Sequence, residues 1–217
     1  MSEVAEIKRK IGRDIFDYPA LLAALSRYNK PRDKITRLLA GGDIIRIKKG
    51  LYSFDRALRG KAVEPGYLAN LIYGPSYVSL DYALSFYGMI PERVETVTSV
   101  TPRRSRLFQT PFGTFSYRML SGSRYTLGAV LSADTGTPFL IASPEKSLAD
   151  KVWADKRFSG RAVGDFKAYL GDDLRIPEDR LTSLDPGGIR EIALAYDSPK
   201  INNLLRYLES MEGSSRA

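Results

Sequence analysis

The 217-residue sequence contains neither cysteine nor histidine. Without cysteine, no disulfide framework and no thiolate metal site can hold the fold together, so a hydrophobic core has to stabilise the chain. Apolar residues make up 43% of the sequence and aromatic residues 11%, enough to build one large or two small cores. The chain is therefore predicted to be a folded globular protein.

The same two absences restrict catalysis. Histidine is the commonest general base, the usual activator of serine nucleophiles and the main nitrogen ligand of zinc. An enzyme built from this chain would have to use carboxylates, lysine, tyrosine or bound Mg²⁺. We expect no enzymatic activity, no catalytic residue, no metal site and no cofactor.

The longest apolar stretches are interrupted by charged residues within a few positions. The beginning of the chain carries Glu3, Glu6 and Lys8, where a signal peptide needs a continuous apolar segment. Neither a membrane span nor secretion is indicated, so the expected location is cytoplasmic, without a membrane partner.

Positive charge is concentrated near the beginning of the chain. The net charge is +8, and residues 1–60 hold 14 basic against 7 acidic residues, whereas residues 61–217 hold 19 against 18. Such asymmetry predicts an anionic partner for the first segment. Nucleic acid is favoured over a membrane surface because no basic amphipathic helix with a broad apolar face accompanies the charge.

Residues 1–60 predict three helices followed by a hairpin. A helical pattern covers about residues 4–10, and a second lies within DIFDYPALLAALSRYNKP. Pro31 opens a third, PRDKITRLLA, with Ile35 and Leu38 on its apolar stripe. GGDIIRIKKGLYSF then reads as two short strands with two lysines at the turn. This is the order of a winged helix-turn-helix domain.

In such a domain the polar face of the third helix enters the major groove, and the turn of the wing contacts phosphates. The alternative is a solvated helix face beside an ordinary turn. The predicted DNA-binding residues are Arg32, Lys34, Thr36, Arg37, Lys48 and Lys49.

A charged segment interrupted by glycine and proline, residues 55–66, predicts a linker. Residues 67–212 show both helical and strand periodicity. The predicted elements are a helix after Ser79, a strand in VETVTSVTP and a hairpin in SRLFQTPFGTFSYRML. A strand and helix in TPFLIASPEKSLADKVW and three further helical segments follow. The predicted fold class is α+β, with the winged helix followed by a mixed α+β domain. Residues 213–217 are predicted to be a disordered tail.

Three runs in this domain resemble the AbiEi family of antitoxins, transcriptional regulators of abortive-infection toxin-antitoxin operons: YVSLDYALSFYGMIPE, VTSVTPRRSRLFQTPFGTFSYRML and ASPEKSLADKVW. The segment GDIIRIKKGLYSF is also similar to the N-terminal domain of that family. The resemblance extends over roughly residues 16–153 and fades after residue 158.

The resemblance implies a repressor that binds the double-stranded operator DNA of its own operon through the N-terminal domain. It also implies that the C-terminal domain counteracts a nucleotidyltransferase toxin, with or without a stable complex. The operator sequence, the toxin and the oligomeric state are left open.

The strongest charge cluster beyond the first domain consists of arginines in and beside the predicted hairpin. Arg106 and Arg118 are expected to approach each other across its strands, which is unfavourable without an intervening anion. One hypothesis is an antitoxin or nucleic-acid surface; the other is pairing with Asp81, Glu92 or Glu95. The candidate residues are Arg103, Arg104, Arg106 and Arg118.

Aromatic residues of this domain would suit either a base-stacking platform or a core, and their spacing favours a core with Tyr87 and Tyr117 as the expected exceptions. They are Tyr77, Tyr82, Phe86, Tyr87, Phe112, Phe115 and Tyr117.

Two functions of other classes are also considered. A metal-dependent nuclease would use Glu145, Asp150 and Lys151 in SPEKSLADK, although Glu145 is explained by its place in a first helical turn. A ligand-responsive regulator would use the second domain to sense a metabolite.

Overall fold

The computed structural model describes residues 2–132 and 136–215 of the chain. They form two compact units. Unit 1 contains the residues up to Val63 together with Gln109–Gly113, and unit 2 contains Glu64–Phe108 and the residues from Thr114 onward. The division after Val63 falls within the predicted linker, residues 55–66.

Unit 1 combines three helices with a small antiparallel sheet in the order β1-β3-β2. Its elements are α1 (Glu3–Ile11), β1 (Ile15–Asp17), α2 (Tyr18–Ala24), α3 (Pro31–Ala40), β2 (Ile44–Lys48) and β3 (Leu51–Phe54).

The strand β1 was absent from the predicted order. Its three residues fall inside the segment predicted to be helical, and Phe16 pairs with Tyr52 of β3. The helix α2 starts only afterwards, where the Asp17 carboxylate accepts a hydrogen bond from the backbone nitrogen of Ala20. The segment predicted to be a wing is therefore part of a three-stranded sheet.

The hairpin β2–β3 turns at Lys49 and Gly50. Gly50 has φ of 85°, a left-handed conformation that glycine adopts without steric cost. The pairing shifts between Arg46 and Lys48, so Ile47 forms an irregularity that breaks the simple alternation expected for this strand.

A single apolar core holds these elements together, and it includes Ile35 and Leu38 from α3, as predicted. Its buried members are Ile7, Phe16, Leu21, Ala24, Leu25, Ile35, Leu38, Ile44, Tyr52 and Phe54.

Unit 2 is a mixed α+β structure built on a six-stranded sheet in the order β6-β7-β5-β4-β9-β8. The strands are β4 (Tyr77–Val78), β5 (Val97–Thr101), β6 (Arg106–Thr110), β7 (Gly113–Met119), β8 (Ala129–Leu131) and β9 (Leu140–Ala142). The helices are α4 (Pro65–Ile72), α5 (Leu80–Phe86), α6 (Ser123–Thr126), α7 (Pro144–Ala154), α8 (Asp165–Ala168), α9 (Glu178–Thr182), α10 (Pro186–Tyr196) and α11 (Pro199–Ser215), with a π-helical turn at Tyr169–Asp173.

Helices pack on both faces of this sheet. The Tyr117 hydroxyl of β7 donates to the Ala69 carbonyl of α4 at 2.6 Å. Gly66 lets α4 approach closely, since a Cβ there would lie 2.3 Å from the Phe139 ring. Thr98, whose partner on β7 is Ser116, faces the other way and accepts from the Tyr82 nitrogen of α5 at 3.0 Å.

At the start of α5, the side chain of Ser79 does not cap the helix. Ser79 occupies the cap position, but its hydroxyl donates to the Asp150 carboxylate at 2.6 Å. Leu80, which is buried, follows with φ of 60°. A left-handed conformation at a non-glycine residue costs on the order of 1–3 kcal/mol, so the surrounding packing must impose it.

The last helix, α11, runs from Pro199 to Ser215 and overlaps the predicted tail at residues 213–217. Residues 216 and 217 lie outside the described residues. Within the described ranges, we find no helix with the length and apolar character needed to cross a membrane.

Candidate nucleic-acid interface

The helix α3 exposes one polar face. Pro31 occupies its first turn, and the burial of Ile35 and Leu38 turns the side chains of Arg32, Thr36 and Arg37 outward into solvent. Thr36 donates its hydroxyl to the Arg32 carbonyl at 3.2 Å, one turn earlier. In the described ranges no carboxylate forms an ion pair with Arg32 or Arg37, so both guanidiniums are available to an anionic partner.

Lys34 belongs to a different arrangement from its two arginine neighbours. Its amino group forms an ion pair with Glu3 of α1 and lies 5.7 Å from the centre of the Tyr28 ring. The Tyr28 hydroxyl donates to Glu3 at 2.6 Å. The hydrogen bond from Lys34, followed by that from Tyr28, lowers the pKa of Glu3. Lys34 thus ties α3 to α1, and a phosphate contact from it would compete with Glu3.

The two lysines of the hairpin β2–β3 differ in exposure. Lys49 lies at the turn and is exposed, whereas Lys48 ends β2 and is half-buried. Burial lowers the pKa of Lys48. Arg46, which the sequence analysis did not single out, is exposed on β2 and has no ion-pair partner among the described residues. The available signal in the sequence was the alternation of Arg46 with Ile47 along the predicted strand. The pairing of this strand is irregular at that point, which made the alternation a weak signal.

In unit 2, two exposed arginine side chains lie beside one aromatic ring, that of Tyr73. The guanidinium carbons of Arg103 and Arg106 lie 5.9 and 5.7 Å from the centre of the Tyr73 ring, within cation–π range. The Tyr73 hydroxyl donates to the Arg104 carbonyl at 3.3 Å. Phe108 packs against Tyr73 with ring centres 5.6 Å apart.

Arg118 does not belong to this group, and the expectation that it approaches Arg106 is wrong. Phe108 and Tyr117 are in edge contact, so Arg106, two residues before Phe108, shares the Tyr117 side of the sheet. Arg118 follows Tyr117 by one residue and points to the opposite side, where it lines a cleft with Lys156. Alternation along β7 separates the two arginines.

The acids expected to neutralise these arginines pair with other cations. Glu92 pairs with Arg175, Glu95 with Arg93 at 3.0 Å, and Asp81 with Lys151. Throughout the described ranges, no ion pair involves the four candidates, which are Arg103, Arg104, Arg106 and Arg118. The pairing hypothesis is therefore not supported, and the positive charge is left available.

The residues considered for a nuclease do not converge. Glu145 accepts from the Asp185 nitrogen at 3.0 Å, and Lys151 pairs with Asp81. Asp150 is buried, where its carboxylate accepts from Ser79. No cluster of three carboxylates that would suit a metal ion occurs in the described part of the chain.

Asp150 instead forms a buried polar cluster that sequence reasoning missed. Lys146, one turn earlier on α7, forms an ion pair with it. The Tyr196 hydroxyl of α10 donates to Asp150 and accepts from Lys146 at 2.8 Å. Burial lowers the pKa of Lys146 and raises that of Tyr196. All four side chains, including Ser79, are buried, so the cluster is a structural element of the core.

Three of the seven aromatic residues are buried, three are partly buried and Phe86 is exposed, so the expected core assignment holds only in part. Tyr77, Phe115 and Tyr117 are buried, and Tyr117 uses its hydroxyl internally. Tyr87 donates its hydroxyl to the Ala142 carbonyl at 2.9 Å. The two expected exceptions therefore do not offer free hydroxyls to a base.

No protein-family model and no curated protein sequence matches this chain. Among solved structures, the crystal structure of the RV2827C protein from Mycobacterium tuberculosis matches with a TM-score of 0.51 and 16% sequence identity. The match covers 96% of this chain and 79% of that chain. At this identity it supports the α+β fold alone, and the resemblance to AbiEi antitoxins stays a prediction.

Proposed function

We propose that unit 1 is a winged helix-turn-helix domain that binds double-stranded operator DNA. In this proposal α2 and α3 are the helix-turn-helix pair, α3 enters the major groove, and the hairpin β2–β3 is the wing. Three helices followed by a hairpin, all packed on one core, support the assignment.

One observation carries the proposal: the exposed cations of α3 and the hairpin lack acidic partners within the described residues, whereas some other basic residues of the same unit, though not Arg9 or Arg56, are paired. Arg32, Arg37 and Arg46 are in the first group, and Lys34 and Arg27 in the second. DNA phosphates and base edges would supply the missing partners.

We further propose that the chain represses its own operon and counteracts a nucleotidyltransferase toxin through unit 2. The AbiEi-like runs support this role, and Arg103, Arg104 and Arg106 are the surface we assign to the antitoxin or to nucleic acid. The role requires no catalysis by this chain and no stable toxin complex. The separation of Glu145, Asp150 and Lys151 makes a nuclease the weaker alternative.

The test is a salt-titrated binding assay of the full chain with the DNA upstream of its own gene and with random DNA of equal length. We expect at least tenfold tighter binding to the upstream DNA, equivalent to about 1.4 kcal/mol. Equal and steeply salt-dependent affinity for both would contradict operator recognition.

The antitoxin role has a separate test in cells. If a toxin gene lies next to this gene, co-expression of residues 67–217 should restore growth. Full-length protein that fails to restore growth under the same conditions would rule out the antitoxin role while leaving DNA binding intact.

A further inference from the structure

A deep cleft opens in unit 2 beside the N-terminal end of α5 and the C-terminal end of α7. Its wider part has a volume of about 900 Å³ and its narrower part about 390 Å³. The two parts share Asp81, Thr98, Lys151, Asp155 and Arg157, so they lie next to each other. Volumes of this order are typical of small-molecule sites.

The narrower part is cationic. Lys151 is paired with Asp81, and Arg157 lies 3.9 Å from Asp155. Arg118 and Lys156 line the same space without an acidic partner in the described ranges. Ser116, which shares its side of β7 with Arg118, adds a hydroxyl to the lining. Two uncompensated cations with a hydroxyl nearby suit a phosphate group.

The wider part holds several acidic side chains, two of which are paired: Glu92 with Arg175 and Glu95 with Arg93. Glu92, Glu95 and Asp173 line it, together with the apolar side chains of Ile90 and Leu174. Asp173 makes no ion pair among the described residues. Carboxylates beside apolar walls suit an organic group that carries amino hydrogen-bond donors.

We propose that this cleft binds a small phosphomonoester, with its phosphate between Arg118 and Lys156 and an amino-bearing organic part toward Asp173. A nucleoside monophosphate whose base has an exocyclic amino group meets both requirements. This inference goes beyond DNA binding and uses no residue of unit 1, so either proposal can fail while the other stands.

The experiment is isothermal titration calorimetry of the full chain, without DNA, against AMP, GMP, CMP and UMP, with adenosine and inorganic phosphate as partial ligands. We expect one-to-one binding of an amino-bearing monophosphate, about tenfold or more tighter than UMP, adenosine or phosphate. Arg118→Ala and Lys156→Ala should each weaken it by about tenfold. Lys167→Ala, an exposed lysine outside the cleft, should leave it unchanged.

Three outcomes would overturn the proposal. The first is no binding of AMP, GMP or CMP at ligand concentrations of about 1 mM. The second is equal affinity for inorganic phosphate, which would remove the organic part from the assignment. The third is unchanged binding in Arg118→Ala, which would place the ligand elsewhere. Circular dichroism of each variant separates a lost site from a lost fold.

Discussion

At the scale of single residues, Arg37 offers the sharpest test of base readout. It is exposed on α3 and free of acidic partners among the described residues, so its fork of donors can address a guanine edge. We expect Arg37→Ala to weaken operator binding by about 1–3 kcal/mol and random-DNA binding by less. The measurement is a pair of titrations at one salt concentration.

Lys167→Ala is the matched control for Arg37→Ala, because it removes one exposed positive charge from unit 2. It should leave the ratio of operator to random-DNA affinity unchanged. If Arg37→Ala weakens both DNAs equally, Arg37 contacts phosphate and does not read a base.

The buried pair of Lys146 and Asp150 gives a stability prediction. Lys146→Met leaves the Asp150 carboxylate buried without its cation, which costs about 3–5 kcal/mol. The double variant Lys146→Met with Asp150→Leu removes both charges and should be less destabilised than the single variant. Urea unfolding of the full chain measures both, and a double variant as unstable as the sum of two single variants would refute the argument.

Residue-scale contacts between distant parts of the sequence were beyond prediction. Lys34 meets Glu3 across 31 positions, and Lys146 meets Tyr196 across 50. Helical spacing correctly placed Lys34 away from the apolar stripe, but it contains no information about which neighbouring element supplies a carboxylate. Arg118 is different, because strand alternation in the sequence already places it on the side opposite Tyr117, and the expectation that it meets Arg106 overlooked this.

At the scale of elements, the hairpin β2–β3 should contribute sequence-independent affinity. If Lys48 and Lys49 each displace one counterion, Lys48→Ala with Lys49→Ala flattens the salt slope by about two units and weakens operator and random DNA alike. Lys49→Ala alone should account for about one unit, since Lys49 is exposed at the turn.

The measurement is the logarithm of the binding constant against the logarithm of salt concentration, with Lys10→Ala as the comparison. Lys10, on α1, forms an ion pair with Glu6 in which Nζ lies 3.5 Å from Oε1. An unchanged slope in the double lysine variant would remove the hairpin from the DNA interface.

Long periodic elements were predictable, and short ones were not. The patterns of α1, α3, α7, α10 and α11 located each helix, and TPFG marked the turn between β6 and β7. The three-residue strands β1 and β8 are shorter than a recognisable period, and α4 begins with Pro-Gly, which signals a loop. Tertiary packing determines whether such segments form a helix or a strand. At the start of α4, for example, Gly66 fits beneath the Phe139 ring.

At the scale of the whole molecule, buried tyrosines predict alkaline unfolding. Burial raises the pKa of Tyr77, Tyr117, Tyr169 and Tyr196, and raises that of Tyr87 to about 12. A folded pKa above the unfolded value of about 10 means that the stabilisation is complete below pH 10 and is lost as the pH rises. Each of these tyrosines should lower the free energy of unfolding by about 1.4 kcal/mol per pH unit above pH 10.

Urea unfolding at several pH values between about 8 and 11 measures this loss. Tyr117→Phe should lower stability by about 1 kcal/mol near pH 8, because the hydrogen bond to Ala69 is lost, and should reduce the alkaline slope by one tyrosine's share. A slope that is the same with and without the Tyr117 hydroxyl would contradict this assignment.

The alternation along β7 has a consequence for how the chain tolerates sequence change. Tyr117 and Arg118 lie on opposite sides of one strand, so one side of β7 carries the aromatic contacts and the other side lines the cleft. A substitution at Tyr117 or at Arg118 alters only one side of the strand. A one-residue insertion between Phe115 and Tyr117 would move Tyr117 and Arg118 to the opposite sides of the strand, so that the charge is buried and the ring is exposed at the same time. Substitution can therefore change each surface independently, whereas a change in the length of this strand alters both surfaces at once.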